Sequence, residues 1–157
     1  MRFLDMDIPK KSIIYGAIHT LANRLQTVGD TIDPTISSKQ WFLLAIVSRF
    51  EGEPPNLSDV AEVLGTSRQN VKKMANILEK RGFMRLEKDP RDLRSMLLFL
   101  TVKCINYFKS REEQEMEYIE HIFSGMDDEM LDSLCKGLTM LTKNIDTLLE
   151  EKNAKKP

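Results

Sequence analysis

The sequence predicts a mainly α fold with a small β-hairpin wing, on three observations. Apolar residues recur at helical spacing through most of the chain. Two short strand-like runs flank a charged turn near residue 90. Ser, Thr and Asp stand where helices would begin, and glycines where they would end. In order the elements are two helices, a helix-turn-helix, a hairpin and two more helices, that is, a winged helix-turn-helix within a helical frame.

Pro9 suits the first turn of a helix, and Ile14, Ile18, Leu21, Leu25 and Val28 follow at alternating steps of four and three, a heptad-like seam. DTIDPTISS, residues 30–38, is rich in turn formers, after which QWFLLAIVSRF reads as a buried helix closed near Gly52 and the Pro54-Pro55 pair. Ser58 is the expected N-cap of a short helix, DVAEVL, and Gly65 supplies the left-handed residue that leaves it. Ser67 should then cap a second helix that Gly82 ends.

FMRLEK alternates as a strand does, and DPRDLRS is turn chemistry rich in charge. MLLFL is an apolar run that completes a hairpin or equally starts a helix. Thr101 is placed to cap a long helix reaching about Ser124, and Asp127 to cap a last one. In that last helix Leu131, Leu134, Leu138, Leu141, Ile145 and Leu148 form a second heptad-like seam. The tail, residues 152–157, is expected to fray.

The 157 residues suffice for one core, and 41% hydrophobic with 30% charged residues is ordinary for a soluble globular chain. No run of about 18 apolar residues could span a bilayer. The start, MRFLDMDIPKK, lacks the apolar region of a secretory signal, so the expected compartment is the cytoplasm, without a membrane partner. Two cysteines and two histidines do not make a four-ligand zinc site of usual spacing, so neither metal nor cofactor is expected. An enzyme is disfavoured: there is no Gly-rich phosphate loop and no nucleophile with a placed histidine. The acidic run REEQEME at residues 111–117 reads as a solvated helix face.

The net charge of −1 conceals an asymmetry, because residues 67–94 hold nine Lys and Arg against four Asp and Glu. At about 100° per residue, Val71, Met74, Ala75 and Leu78 share one side of the helix after Ser67, and Gln69, Lys72, Lys73 and Asn76 the other. Lysines on such a face neutralise phosphates, and Gln or Asn can pair with adenine edges in a major groove. Ser67, Arg68 and Asn70 lie at the helix start, where reading helices meet bases. A merely solvated charged face fits this helix alone about as well; the short capped helix before it and the basic hairpin after it favour nucleic-acid binding.

The hairpin tip presents Lys88, Arg91 and Arg94 for phosphates or a neighbouring minor groove. Asp92 reads as a partner that orients an arginine, with Arg94 the first choice, against the alternative of an inconsequential surface pair.

The stretch LSDVAEVLGTSRQNVKKMANILEKRGFMRLEKDPRDLRSMLLFLT resembles the helix-turn-helix and wing of the MarR family of transcription regulators. DPRDLRS followed by an apolar strand ending in Leu100-Thr101 is the most specific piece, and SSKQWFLL is similar to the family's second helix. The resemblance implies a homodimer joined through the first, fifth and sixth helices, the fourth helix in the major groove of double-stranded DNA, and the wing near the minor groove. On that basis residues 1–36 and 102–151 form the dimerisation region and residues 37–101 the DNA-binding domain. A pseudo-palindromic operator and a repressor role modulated by a small molecule or other signal are also implied. Val102-Lys103-Cys104 departs from the acidic-Lys-Gly that often follows Leu-Thr in the family.

The family's effector pocket maps to the neighbourhood of His19, Trp41 and Tyr107. Trp41 reads more readily as a core residue than as a ligand platform, and His19 more readily as a packed or half-exposed histidine. Redox sensing is a family variant, and Lys103 and Lys136 adjoin Cys104 and Cys135. Buried, inert thiols are the favoured reading, Cys135 flanking the Leu134-Leu138 seam. A winged helix that binds protein instead of DNA is the competing function.

Overall fold

The computed structural model describes residues 8–154. Six helices and one hairpin run in the order α1 (Lys10–Ile32), α2 (Ser38–Val47), α3 (Leu57–Val63), α4 (Arg68–Lys80), β1 (Met84–Lys88), β2 (Met96–Leu100), α5 (Val102–Ile122) and α6 (Asp128–Ala154). The chain forms two compact units that divide within α5, after Lys109.

In the first unit Pro9 stands one place earlier than expected, as the N-cap of α1, where its carbonyl accepts from the Ser12 and Ile13 amides. α1 buries no residue of its own, and its seam is about half exposed, from 41% at Ile18 to 50% at Ile14. Gly29 lets α1 approach the start of α2, since a Cβ there would lie 2.6 Å from Ser38 Oγ. Asp30 accepts from the Ser38 amide at 2.7 Å, and Ser37 with Gln40 closes a capping box at the head of α2.

α2 is apolar around most of its circumference, so it belongs in an interior. It buries Leu43, Leu44, Ile46 and Val47 against α3, α4 and the hairpin. Ser58 is not the cap of α3. Asn56 is: its Oδ1 accepts from the Ser58 and Asp59 amides, and the Asn56 amide donates in return to the Asp59 carboxylate at 2.8 Å. Two polar residues two apart compete for the role, and only Asn56 has an acidic residue three places on to complete the reciprocal pair.

The hairpin is antiparallel, with Met84 opposite Leu100 and Lys88 opposite Met96, so MLLFL is a strand. Pro55 and Asn56 extend the sheet by an isolated bridge to Leu97 and a bond from the Leu98 amide to the Pro55 carbonyl. Phe83, Met84 and Leu98 close the core from this side.

In the second unit Gly125, at φ 83°, ends α5, and Asp127 caps α6 by accepting from the Met130 amide at 2.8 Å. Asp128 and Glu129 in the first turn and Lys152 in the last suit the α6 dipole. Helix continues through Ala154, so residues 152–154 of the expected tail are helical, while residues 155–157 lie outside the described residues. No helix among the described residues is long and apolar enough to cross a membrane.

Candidate nucleic-acid interface

α3 ends at a left-handed Gly65 (φ 60°), with Gly65 N–H bonded to Glu62 O and Thr66 N–H to Ala61 O. This double bond pattern satisfies the last carbonyls of α3 and turns the chain sharply into α4. Ser67 caps α4 by accepting the Asn70 amide at 3.2 Å. Gly82 (φ 76°) ends α4 in the same way as Gly65 ends α3, the Phe83 amide reaching back to Leu78 O.

Between these ends α4 splits into the two expected faces. Val71, Ala75 and Leu78 are buried and Met74 half-buried, whereas Arg68, Gln69, Asn70, Lys72, Lys73 and Asn76 are exposed. Packing of the apolar side therefore holds the polar side outward. Two of these residues also have partners at the helix start: Asn70 Nδ2 donates to Thr66 Oγ1 at 3.0 Å, and Arg68 Nη2 donates to the Arg94 carbonyl at 3.0 Å. The first pre-orients the Asn70 amide; the second ties α4 to the hairpin turn while leaving the Arg68 charge unneutralised. Ser67 accepts one bond at Oγ, so its hydroxyl hydrogen and second lone pair are what it can offer a ligand.

The opposite end of α4 is anchored as well. Arg81 donates to the Thr35 carbonyl in the α1–α2 connection. Lys103 Nζ donates to Arg81 O at 2.6 Å and lies 4.7 Å from the centre of the Phe83 ring. Thr101 Oγ1 donates to Gly82 O at 2.7 Å and accepts the Cys104 amide at the head of α5.

The wing turn is built from two successive aspartates. Asp89 Oδ1 accepts from the Arg91 amide at 2.8 Å, and Asp92 Oδ1 accepts from the Arg94 amide at 3.0 Å. Asp92 therefore shapes the backbone and does not hold the Arg94 guanidinium, which corrects the sequence expectation. The carboxylate that does pair with an arginine side chain in the turn is Asp89, with Arg91 Nε at 3.4 Å. Arg91 also forks onto Glu53, Nη1 to Oε1 at 3.1 Å and Nη2 to Oε2 at 2.7 Å. These bonds, that to Glu53 first, raise the Arg91 pKa. Lys88 and Arg94 are exposed, and so is Leu93. Glu53, Asn56 and Thr66 escaped the sequence reading. An Asn-x-x-Asp pattern marks Asn56, but nothing marks Glu53, 38 positions from Arg91.

Trp41 and Tyr107 both pack on the core and both meet Phe108, with ring centroids 6.5 and 6.0 Å away. The Tyr107 hydroxyl donates to the buried Asp33. His19 is exposed on α1, with its ring edge-on to Tyr15. The two thiols differ: Cys104 is buried, and Cys135, expected to be buried beside the seam, is exposed on α6. Burial pushes the Cys104 thiol up to about 11, so at neutral pH it is protonated and a poor nucleophile. Ellman's reagent at pH 7.5 should leave Cys104 untouched in the folded protein and titrate it only in denaturant. Because an unfolded thiol ionises near 9.0, the stability Cys104 contributes is complete below that pH and falls away as pH rises toward about 11.

A capped helix, a tight glycine turn, a second helix with one buried and one cationic face, and a two-stranded hairpin beside it define a winged helix-turn-helix protein. Residues 36–96 match the family model described as MarR family. No curated protein matches the chain in sequence. Among solved structures, the chain is similar to a MarR protein from Peptoclostridium difficile at 20% identity, with a TM-score of 0.79 over 93% of this chain and 95% of that one. It is similar to MepR of S. aureus, solved in a DNA complex, at 16% identity, with a TM-score of 0.69 over 88% of this chain and 99% of that one. FabT of Streptococcus pneumoniae, also in complex with DNA, is 21% identical, with a TM-score of 0.63 over 88% and 99%. At these identities the likeness establishes the fold.

Proposed function

We propose that the chain is a sequence-specific, double-stranded-DNA-binding regulator of transcription, a homodimeric repressor. The observation that carries this reading is the exposed polar face of α4: Gln69, Lys72, Lys73 and Asn76 stand outward on a helix whose other side is locked into the core. DNA complexes of the similar MepR and FabT support it. In this reading Arg68, Gln69, Asn70 and Asn76 meet base edges or the nearby backbone, Lys72 and Lys73 meet phosphates, and Ser67 positions the helix end. Residues 37–101 serve as the DNA-binding domain, and residues 1–36 with 102–151 as the dimerisation region. The uncovered apolar seams of α1 and α6 support dimerisation. A two-fold dimer calls for a pseudo-palindrome with half-sites about 34–36 Å apart.

Fluorescence anisotropy over a salt series, with DNA upstream of the chain's own gene and scrambled DNA, tests the reading. Tight, salt-steep binding with a preference is expected. Weak binding equal on both, together with a protein partner captured without DNA, would favour the protein-binding winged helix. Lys72→Ala should weaken binding to every duplex and lower the salt slope by roughly one, while Gln69→Ala should mainly relax sequence preference. Equal effects of both variants on operator and random DNA would refute that division. A small-molecule effector would act near Trp41 and Tyr107, and the sole tryptophan should report its binding by fluorescence.

A further inference from the structure

In the wing turn, the exposed Arg91 side chain is held by two carboxylates. Its guanidinium forks onto Glu53 from the α2–α3 connection and touches Asp89, whose side chain is 13% exposed. One cation against two anions leaves the cluster at −1, so the Arg91 charge is already offset where it stands. An isolated surface ion pair is weak, but a bidentate arginine inside a network of charges is the exception. The bonds also have a mechanical result. Asp89 holds both the backbone and the side chain of Arg91, and Glu53 fastens that side chain to the segment leading into Pro55 and Asn56, which pair with β2.

We propose that Arg91 is a positioning residue that braces the wing against Glu53, and that Arg94 and Lys88 are the wing's phosphate-facing cations. The proposal rests on the DNA-binding reading for the wing's task but not for the brace itself. Both side chains are exposed, but Arg94 differs from Arg91 in that its backbone is engaged at both ends, by Asp92 and Arg68, while no carboxylate among the described residues holds its guanidinium. Arg68 thus steadies the wing from the α4 side and Arg91 steadies it from the α2–α3 side.

Two measurements on the full chain test this, using Arg91→Ala, Glu53→Ala, the double variant, Arg94→Ala, and Glu51→Ala as a control for loss of a nearby negative charge. In the free protein, amide hydrogen exchange at Asp89, Arg91 and Ser95 should quicken in both single variants at the brace and no further in the double variant. In anisotropy titrations over salt, Glu53→Ala and Arg91→Ala should each weaken duplex binding by about two- to fivefold at an unchanged salt slope. Arg94→Ala should flatten the slope by about one, and Glu51→Ala should not weaken binding. Unchanged exchange in the brace variants would overturn the proposal. So would tighter, salt-steeper binding by Glu53→Ala beyond the Glu51→Ala control, with a flattened slope for Arg91→Ala, because Arg91 would then be a phosphate contact that Glu53 restrains. A wild type that binds no duplex would remove the DNA reading, and the exchange result would still decide the brace.

Discussion

Replacing Phe83 by alanine should destabilise the protein by about 3–5 kcal/mol, the range for deleting a large buried aromatic ring. Phe83 is 2% exposed and follows directly on Gly82, at the point where α4 ends and β1 begins. Its ring lies edge-on to Tyr107 at 5.1 Å and under the Lys103 ammonium at 4.7 Å. Its backbone holds the start of α5 by accepting from Thr101. Alanine keeps the backbone bonds and removes every ring contact, leaving a cavity among α4, α5 and the hairpin. For a chain of this length the midpoint of thermal unfolding should fall by roughly 8–16 °C. Phe83→Leu, which retains most of the volume, should lose far less. A fall of only a degree or two for the alanine variant, in calorimetry or circular dichroism, would show that Phe83 is not a keystone of this junction.

That junction shows what was legible in the sequence. Gly82 after a helical pattern, a strand-like FMRLEK and a capping Thr101 each announce their local roles, because each acts through its own backbone or the next few residues. The faces of α4 were legible for the same reason, since a period of about 3.6 residues is a property of the segment itself. Lys103 was different. In the sequence it stood out only as the neighbour of Cys104, while its partners, Arg81 O and the Phe83 ring, lie about twenty residues back.

The wing marks the limit more sharply. DPRD and DLRS both place an arginine two residues after an aspartate, and at that spacing a carboxylate can take the backbone N–H or the guanidinium. Asp92 takes only the backbone, and Asp89 takes both. The difference arises because Glu53 draws the Arg91 side chain toward the α2–α3 connection, and no local rule foresees a partner supplied by the fold. Similarly, Ser58 and Asn56 are both acceptable caps in isolation, and the reciprocal bond with Asp59 decides between them.

In the proposed homodimer, placing charge on the α6 seam, Leu138→Asp with Ile145→Asp, should yield a monomer and abolish high-affinity operator binding. Leu134, Leu138, Leu141, Ile145 and Leu148 lie along one side of α6 and are 37–57% exposed in the single chain. Water alone gives no reason to line up five large apolar side chains, whereas a second copy supplies one. Fully burying a leucine or isoleucine is worth about 1.5–3 kcal/mol; Leu138 and Ile145 are 45% and 54% exposed in the single chain, so two substitutions in each of two chains remove about 3–6 kcal/mol, on the order of two to four decades in the dimer dissociation constant. The helix itself should persist, since its Asp127 cap and its favourable end charges are untouched. Sedimentation velocity at micromolar concentration should therefore show the wild type as a dimer and the variant as a monomer of undiminished helicity. A lone chain offers one α4 to one half-site, so operator affinity should fall by at least about a hundredfold while the weak, salt-dependent binding of a single winged helix persists. A variant that remains dimeric would move the interface off this seam, and one that becomes monomeric yet binds the operator unchanged would show that the two reading helices do not act together.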